Sequence, residues 1–267
     1  MRLLVSVRSA DEVGPALAGG AEIIDVKEPA RGALGAADPE VVRAVEGRLP
    51  TAVPLSVALG DPPDEAAVRA AVGRLPPRRQ PGEVILKLGF AGTSSREEIV
   101  SRLAAALDQA RCVGSPAIVA VAYADHARAA APSPADVLKA SARTGVAGVL
   151  IDTFVKDGRD LFALVSDEVL AEWIAEARAC GLLVAVAGSL GRDAIARLGD
   201  AGPDVVGVRG AVCEGGRLGR VSADRVRDLR AAIAAIGNRP RGPVRVCQAG
   251  EARMPASSPA RVHGSRV

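Results

Sequence analysis

Short apolar runs and amphipathic stretches alternate eight times along the first 236 residues of the 267-residue chain. The apolar runs, rich in β-branched residues, predict strands at residues 3–7, 22–26, 52–57, 83–88, 117–122, 147–152, 182–187 and 204–208. The stretches between them have helical periodicity and predict helices at residues 10–18, 39–46, 64–74, 96–110, 134–144, 166–179, 192–198 and 222–236. This alternation is typical of parallel βαβ units.

Eight such units predict an α/β fold, a (βα)8 TIM barrel with eight parallel strands. The expected organisation is a single catalytic domain at residues 1–236, followed by a disordered basic tail at residues 237–267. An open doubly wound sheet is the alternative, but no G-x-G-x-x-G follows the first strand, which disfavours its dinucleotide-binding version. A composition of 49% hydrophobic but only 2% aromatic residues predicts an aliphatic core, as in a parallel sheet covered by helices.

The net charge of +3 is concentrated at the C-terminus. Residues 238–267 contain six Arg and one Glu, a charge of +5, which leaves −2 for the rest of the chain. The basic net charge therefore comes from the tail, and no nucleic-acid partner is expected.

No stretch approaches the roughly 20 apolar residues that cross a bilayer, and the N-terminus lacks a signal-peptide pattern. We expect a cytoplasmic protein with no membrane partner. The oligomeric state is left open, and a homo-oligomer is allowed.

Cysteine and histidine usage disfavours a metal site or a disulfide framework. The four Cys are far apart in the sequence with no C-x-x-C pair, and only two His occur, His126 and His263. No metal is expected.

A TIM barrel carries its active site at the carboxyl ends of the strands and in the loops that follow. The polar residues at those positions are Ser6, Arg8, Asp25, Lys27, Ser56, Lys87, Tyr123, Asp125, Asp152, Lys156, Gly188, Ser189, Arg209 and Gly210. Barrels often bind phosphate after strands seven and eight, so Gly188, Ser189, Arg209 and Gly210 are the predicted phosphate-binding residues. Residues 31–35 are a candidate lid or phosphate contact.

Lysine is scarce in this chain and is concentrated at strand ends. Only four of the 34 basic residues are Lys, and Lys27, Lys87 and Lys156 all fall at or just after a predicted strand end. A Lys amine, unlike Arg, becomes neutral when it is desolvated or placed near another cation, and a neutral amine attacks carbonyls to form a Schiff base. Asp25 and Asp152 would orient these amines. The structural alternative is that the lysines only form ion pairs.

Several segments together resemble the (5-formylfuran-3-yl)methyl phosphate synthase family, also called 4-(hydroxymethyl)-2-furancarboxaldehyde phosphate synthases, of methanofuran-type cofactor biosynthesis. They are residues 5–8 (VSVR), 24–29 (IDVKEP), 87–89 (KLG), 123–125 (YAD), 150–157 (LIDTFVKD), 187–190 (AGSL) and 207–212 (GVRGAV), and the resemblance spans residues 1–236. It implies a lyase that condenses two molecules of glyceraldehyde 3-phosphate, releasing one phosphate and two waters, without a cofactor. It further implies that Lys27 forms the Schiff base, that Lys87 donates and accepts protons, and that Asp25, Asp152 and Lys156 complete the catalytic group.

Two other functions stay open from the residues alone. A class I aldolase acting on a phosphorylated sugar would use the same lysine chemistry. A non-catalytic barrel that binds a phosphorylated metabolite would keep the phosphate loops without needing a reactive amine.

Overall fold

The computed structural model describes residues 1–75, 83–199 and 202–237, and within them the eight predicted strands form one parallel sheet. The strands are β1 (Arg2–Val7), β2 (Ile23–Val26), β3 (Leu55–Ala58), β4 (Val84–Leu88), β5 (Ala117–Tyr123), β6 (Gly148–Asp152), β7 (Leu183–Val186) and β8 (Val205–Val208). The helices are α1 (Val13–Ala18), α2 (Pro39–Glu46), α3 (Glu65–Gly73), α4 (Arg96–Cys112), α5 (Pro134–Thr144), α6 (Asp167–Ala179), α7 (Arg192–Arg197) and α8 (Ala223–Gly237).

The sheet closes on itself because β1 pairs with both β2 and β8. Leu4 lies opposite Ile23 on one side and opposite Gly207 on the other, and every pairing around the ring is parallel. This confirms the predicted (βα)8 barrel over the open sheet. The predicted basic tail lies outside the described residues.

Strand residues alternate between two apolar cores. Outward-facing residues such as Leu3 and Val5 pack beneath the helices, whereas inward-facing residues such as Leu4, Ile23 and Leu150 fill the barrel interior. The period of two along each strand places Asp25 and Lys27 on the same face as Ile23. The barrel interior is therefore polar at the carboxyl ends of the strands, although the strands themselves are mostly apolar.

Local signals fix the ends of several helices. The Ser133 hydroxyl accepts the Asp136 N–H at the start of α5, Pro134 occupies its first turn, and Gly145 ends it in the left-handed conformation. Asp64 caps α3 in the same way. None of the helices in the described ranges is long and apolar enough to span a bilayer.

Two local features differ from the sequence prediction. β3 begins at Leu55 and not at residue 52, because the Val53 N–H donates to the Pro50 carbonyl and holds residues 50–53 in a turn. After β8 the chain makes a short antiparallel hairpin of β9 (Cys213–Glu214) and β10 (Arg220–Val221). Strands of two residues are too short to produce a detectable alternation.

Candidate active site

The carboxyl ends of the strands surround a cavity of about 380 Å³. The cavity is lined by Lys27 directly after β2, Lys87 from β4, Asp152 from β6 and Lys156 from the next loop. Asp25 lies beside them, with no exposed surface. The five residues predicted as catalytic are thus brought together, and the predicted phosphate residues Gly188, Ser189, Arg209 and Gly210 line the same cavity.

Lys87 is held by a buried carboxylate. Its Nζ lies 2.8 Å from Asp25 Oδ1, and the Ser6 hydroxyl donates to Asp25 Oδ2 at 2.8 Å. Burial raises the pKa of Asp25, but the charges of Lys87 and Lys27 outweigh burial and leave this pKa below its ordinary value. Asp25 is therefore an anion that neutralises and orients Lys87.

Lys156 is held in the same way on the opposite side of the cavity. Its Nζ donates to Asp152 Oδ1 at 2.7 Å and to the Thr153 hydroxyl at 2.9 Å. The Thr153 N–H donates to the same Asp152 oxygen at 2.7 Å. Burial raises the pKa of Asp152, but the positive charges of Lys156 and Lys27 outweigh burial and leave this pKa below its ordinary value. Two of the three lysines thus form ion pairs, as the structural alternative predicts.

Lys27 has no carboxylate partner in the part of the chain that the structure describes. Within the described ranges Lys27 makes one hydrogen bond, a long one of 3.5 Å from Nζ to the Ala33 carbonyl, although the residue is only 8% exposed. Burial and then the positive charge of Lys87 lower the pKa of Lys27 to about 8, while Asp152 and Asp25 partly oppose them. Lys27 is thus an amine that its surroundings make easier to deprotonate.

The loop after β7 turns sharply at the cavity. Gly188 and Ser189 both have positive φ angles, 114° and 54°, and positive φ is uncommon for a residue with a side chain. A Cβ at position 188 would lie 3.0 Å from the Thr153 methyl group and 3.2 Å from Leu161 Cβ, so glycine allows close packing there. Such strain is typical of functional loops.

Arg209 is buried, and its guanidinium is fully occupied by protein atoms. Its Nη1 and Nη2 donate to the two Glu12 carboxylate oxygens at 2.6 and 3.1 Å. The other donors reach the carbonyls of Ser6 at 2.9 Å, Arg217 at 3.0 Å and Gly219 at 2.8 Å. These five contacts use all five N–H groups of the side chain. Direct phosphate binding by Arg209 stays a prediction, but in this arrangement no donor is left for it.

Two acceptors, the buried Asp125 and the half-buried Asp61, fix the loops around the site. Asp125 accepts the N–H groups of Phe154 at 2.6 Å and Val155 at 2.9 Å, immediately before Lys156. Asp61 accepts the Tyr123 hydroxyl at 2.8 Å and the Ala91 N–H at 2.8 Å, which ties the loops after β3 and β4 to the end of β5. Both carboxylates hold backbone or side-chain groups around the cavity, and neither points to a role in contacting a bound substrate.

The sequence pattern does not predict three further residues of this region, Glu12, Asp61 and Arg217. Arg217 lines the cavity from the hairpin after β8. The one signal for it is a single Arg inside the glycine-rich segment 215–219 (GGRLG), directly after a predicted phosphate loop. Glu12 and Asp61 carry no such signal, because their roles depend on partners distant in sequence.

No group of three or more His, Cys, Asp or Glu side chains in residues 1–75, 83–199 and 202–237 is arranged to hold a metal ion. The chemistry that these residues offer is that of amines, carboxylates and hydroxyls.

Comparison with known sequences gives a consistent result. The family model for 4-HFC-P synthase matches residues 3–230. A (5-formylfuran-3-yl)methyl phosphate synthase of Methanothermobacter thermautotrophicus is 38% identical over 234 residues, covering 86% of this chain and 98% of the relative. The synthase of the same name in Methanocaldococcus jannaschii is 36% identical over 239 residues, with 86% and 98% covered.

Comparison with solved structures supports the fold alone. A 3-hexulose-6-phosphate synthase has a TM-score of 0.56 at 20% identity, covering 87% of this chain and 100% of its own. Phosphoribosyl anthranilate isomerase from Thermus thermophilus has a TM-score of 0.54 at 14% identity, with 88% and 99% covered.

Proposed function

The chain belongs to the (5-formylfuran-3-yl)methyl phosphate synthase family, and we propose that it condenses two molecules of glyceraldehyde 3-phosphate through a Schiff base on Lys27. One furan aldehyde that keeps a phosphate is formed, and one phosphate and two waters leave. We place this lyase reaction in the cytoplasm, in the biosynthesis of a methanofuran-type cofactor. Its partner is the phosphorylated aldehyde substrate.

The observation that carries this proposal is the difference between the three lysines. Lys87 and Lys156 each have a carboxylate within 2.8 Å, whereas among the described residues Lys27 has only the Ala33 carbonyl at 3.5 Å. With a pKa of about 8, close to a tenth of the Lys27 amine is neutral at pH 7, against well under about one in a thousand at the ordinary value of 10.5. A neutral, unpaired amine is the nucleophile that imine formation requires.

Imine formation would start the reaction by making the neighbouring carbon acidic. Water leaves as the Lys27 amine replaces the aldehyde oxygen, and the positive nitrogen stabilises the carbanion formed when the adjacent C–H loses its proton. The phosphate on the next carbon then departs with its bonding electrons. The resulting three-carbon nucleophile bonds to the second triose phosphate, and ring closure with loss of two waters gives the furan. Hydrolysis of the imine then consumes one water, releases the furan aldehyde and frees the Lys27 amine.

Lys87 and Lys156 are suited to move the protons. Each is ion-paired at a fixed position on the cavity wall, Lys87 with Asp25 and Lys156 with Asp152. A protonated amine held near the substrate can give its proton to a leaving oxygen and later take one from carbon. Gly188, Ser189 and Gly210 are the proposed backbone contacts of phosphate, and Arg209 supports the loop that contains Gly210.

Product stoichiometry tests the function directly. Purified protein given glyceraldehyde 3-phosphate should release one inorganic phosphate for each furan aldehyde, detected by ultraviolet absorbance and mass. A non-aromatic sugar phosphate formed without phosphate release would support the class I aldolase instead. Binding of the substrate with no product would support the non-catalytic barrel.

A further inference from the structure

The hairpin after β8 places one cationic side chain against the cavity. Arg217 lies in its turn, half-buried, on the cavity wall. The turn is tight, because a side chain at position 219 would overlap the Glu214 carbonyl group, so glycine is required there. The glycine-rich segment therefore serves to bring the backbone of Arg217 close to the mouth of the barrel.

Three consecutive carbonyls of this turn are fixed by buried or half-buried arginines. Arg209 donates to the carbonyls of Arg217 at 3.0 Å and Gly219 at 2.8 Å, and Arg8 donates to that of Leu218 at 3.0 Å. Glu12 neutralises Arg209 with two further hydrogen bonds. Arg209 is thus a positioning residue for the backbone that carries Arg217.

The Arg217 guanidinium itself is almost unoccupied. Within the described ranges its only side-chain hydrogen bond is from Nη2 to the Gly32 carbonyl, at 2.6 Å. It has no carboxylate at ion-pair distance there, whereas Lys87 and Lys156 are both neutralised. Gly32 belongs to the loop that follows Lys27, so this one bond joins the loops after β2 and β8 across the mouth.

We infer that Arg217 binds the substrate phosphate and, through the Gly32 carbonyl, holds the loop at residues 29–35 against the bound substrate. One N–H of its planar fork reaches the loop, and the others are available to a phosphate oxygen pair, a geometry that suits a guanidinium better than an ammonium. This assignment rests on one part of the proposed function, namely that the substrate is a phosphorylated aldehyde.

A non-reacting phosphorylated triose separates this assignment from the chemistry. Glycerol 3-phosphate lacks the aldehyde, so its binding to the full-length protein, measured by calorimetry, does not depend on Lys27 or on product formation. We expect Arg217→Ala to weaken binding by about tenfold to hundredfold, the range for one charge-assisted contact, and Arg217→Lys to weaken it less. Arg220→Ala, an exposed arginine on the same hairpin, should bind as the wild type does.

A second readout excludes a merely structural effect. Borohydride trapping at Lys27 is compared for glyceraldehyde 3-phosphate and for unphosphorylated glyceraldehyde. Arg217→Ala should lose most of the preference for the phosphorylated aldehyde, whereas Arg220→Ala should keep it. Unchanged glycerol 3-phosphate binding in Arg217→Ala, or no binding to the wild type, would overturn the inference. Tight binding by a wild type that makes no furan would instead refute the proposed function and leave the phosphate site standing.

Discussion

Lys87 Nζ lies 2.8 Å from Asp25 Oδ1, in a pair whose side chains are only 6% and 0% exposed. At such a depth each charge depends on the other, because an isolated buried ion is far less stable than a solvated one. The same pair also affects Lys27, since Lys87 lowers its pKa and Asp25 raises it. This relationship links stability to reactivity and gives the first two predictions.

Removing one member of the pair should destabilise the barrel. Lys87→Met leaves the Asp25 carboxylate buried with only Ser6 as a partner, and we expect a loss of about 3–5 kcal/mol in the free energy of unfolding. The double variant Lys87→Met/Asp25→Asn removes both charges and should recover most of that loss. Urea unfolding measures both values. Equal stability of the single variant and the wild type would show that the pair is not desolvated in solution.

The pH dependence of imine formation should report the Lys27 amine. Because its pKa is about 8, the neutral fraction rises as the pH increases, so the rate should climb about tenfold per unit below pH 8 and level off above it. In Lys87→Gln the neighbouring cation is lost, the pKa of Lys27 rises, and the curve should move to higher pH. Lys139→Gln, an exposed lysine on α5, serves as the control and should leave the curve in place. A curve that moves to lower pH in Lys87→Gln would contradict this account.

The barrel could be predicted from the sequence because its signals are local and repeated. Strand and helix periods alternate eight times, and a period of two places Asp25 and Lys27 on one face. The unpaired state of Lys27 could not be predicted, since it depends on which amine comes within about 3 Å of which carboxylate. The bond from Arg209 to Glu12 joins residues 197 positions apart, so no local pattern indicates that its guanidinium is occupied.

The Asp125 carboxylate should control the position of Lys156. Asp125→Ala leaves the N–H groups of Phe154 and Val155 without their acceptor, so we expect about 1–3 kcal/mol lower stability and a lower kcat. Asp125→Asn keeps one carbonyl oxygen and should have a smaller effect on both. Thermal unfolding and steady-state kinetics measure the two effects. If Asp125→Ala had normal kcat, the loop would not need this acceptor to place Lys156.

The junction of Gly89, Asp61 and Tyr123 should not tolerate a side chain. A Cβ at position 89 would collide with the Asp61 carboxylate and lie 2.6 Å from the Tyr123 hydroxyl. Gly89→Ala should therefore destabilise the protein by about 1–3 kcal/mol, the usual cost of overpacking. Gly73→Ala at the end of α3 is the matched control: the nearest heavy atom to its Cβ would be the Gln109 side-chain nitrogen at 3.5 Å, an ordinary contact, and helix propensity predicts a gain of about 0.5–1 kcal/mol. The melting temperature should fall in Gly89→Ala and rise in the control variant. An unchanged melting temperature in Gly89→Ala would show that this junction is loosely packed.

Lys27 is the amine that we propose reacts with the substrate. The most direct measurement is peptide mass spectrometry after borohydride reduction in the presence of glyceraldehyde 3-phosphate, with Lys27→Arg as the matched variant. Imine chemistry on Lys27 predicts a stable substrate-derived adduct on that residue in the wild type, and none on Lys87, Lys156 or the variant. An unmodified Lys27 under conditions where the wild type turns over, or an adduct on another lysine, would contradict the account.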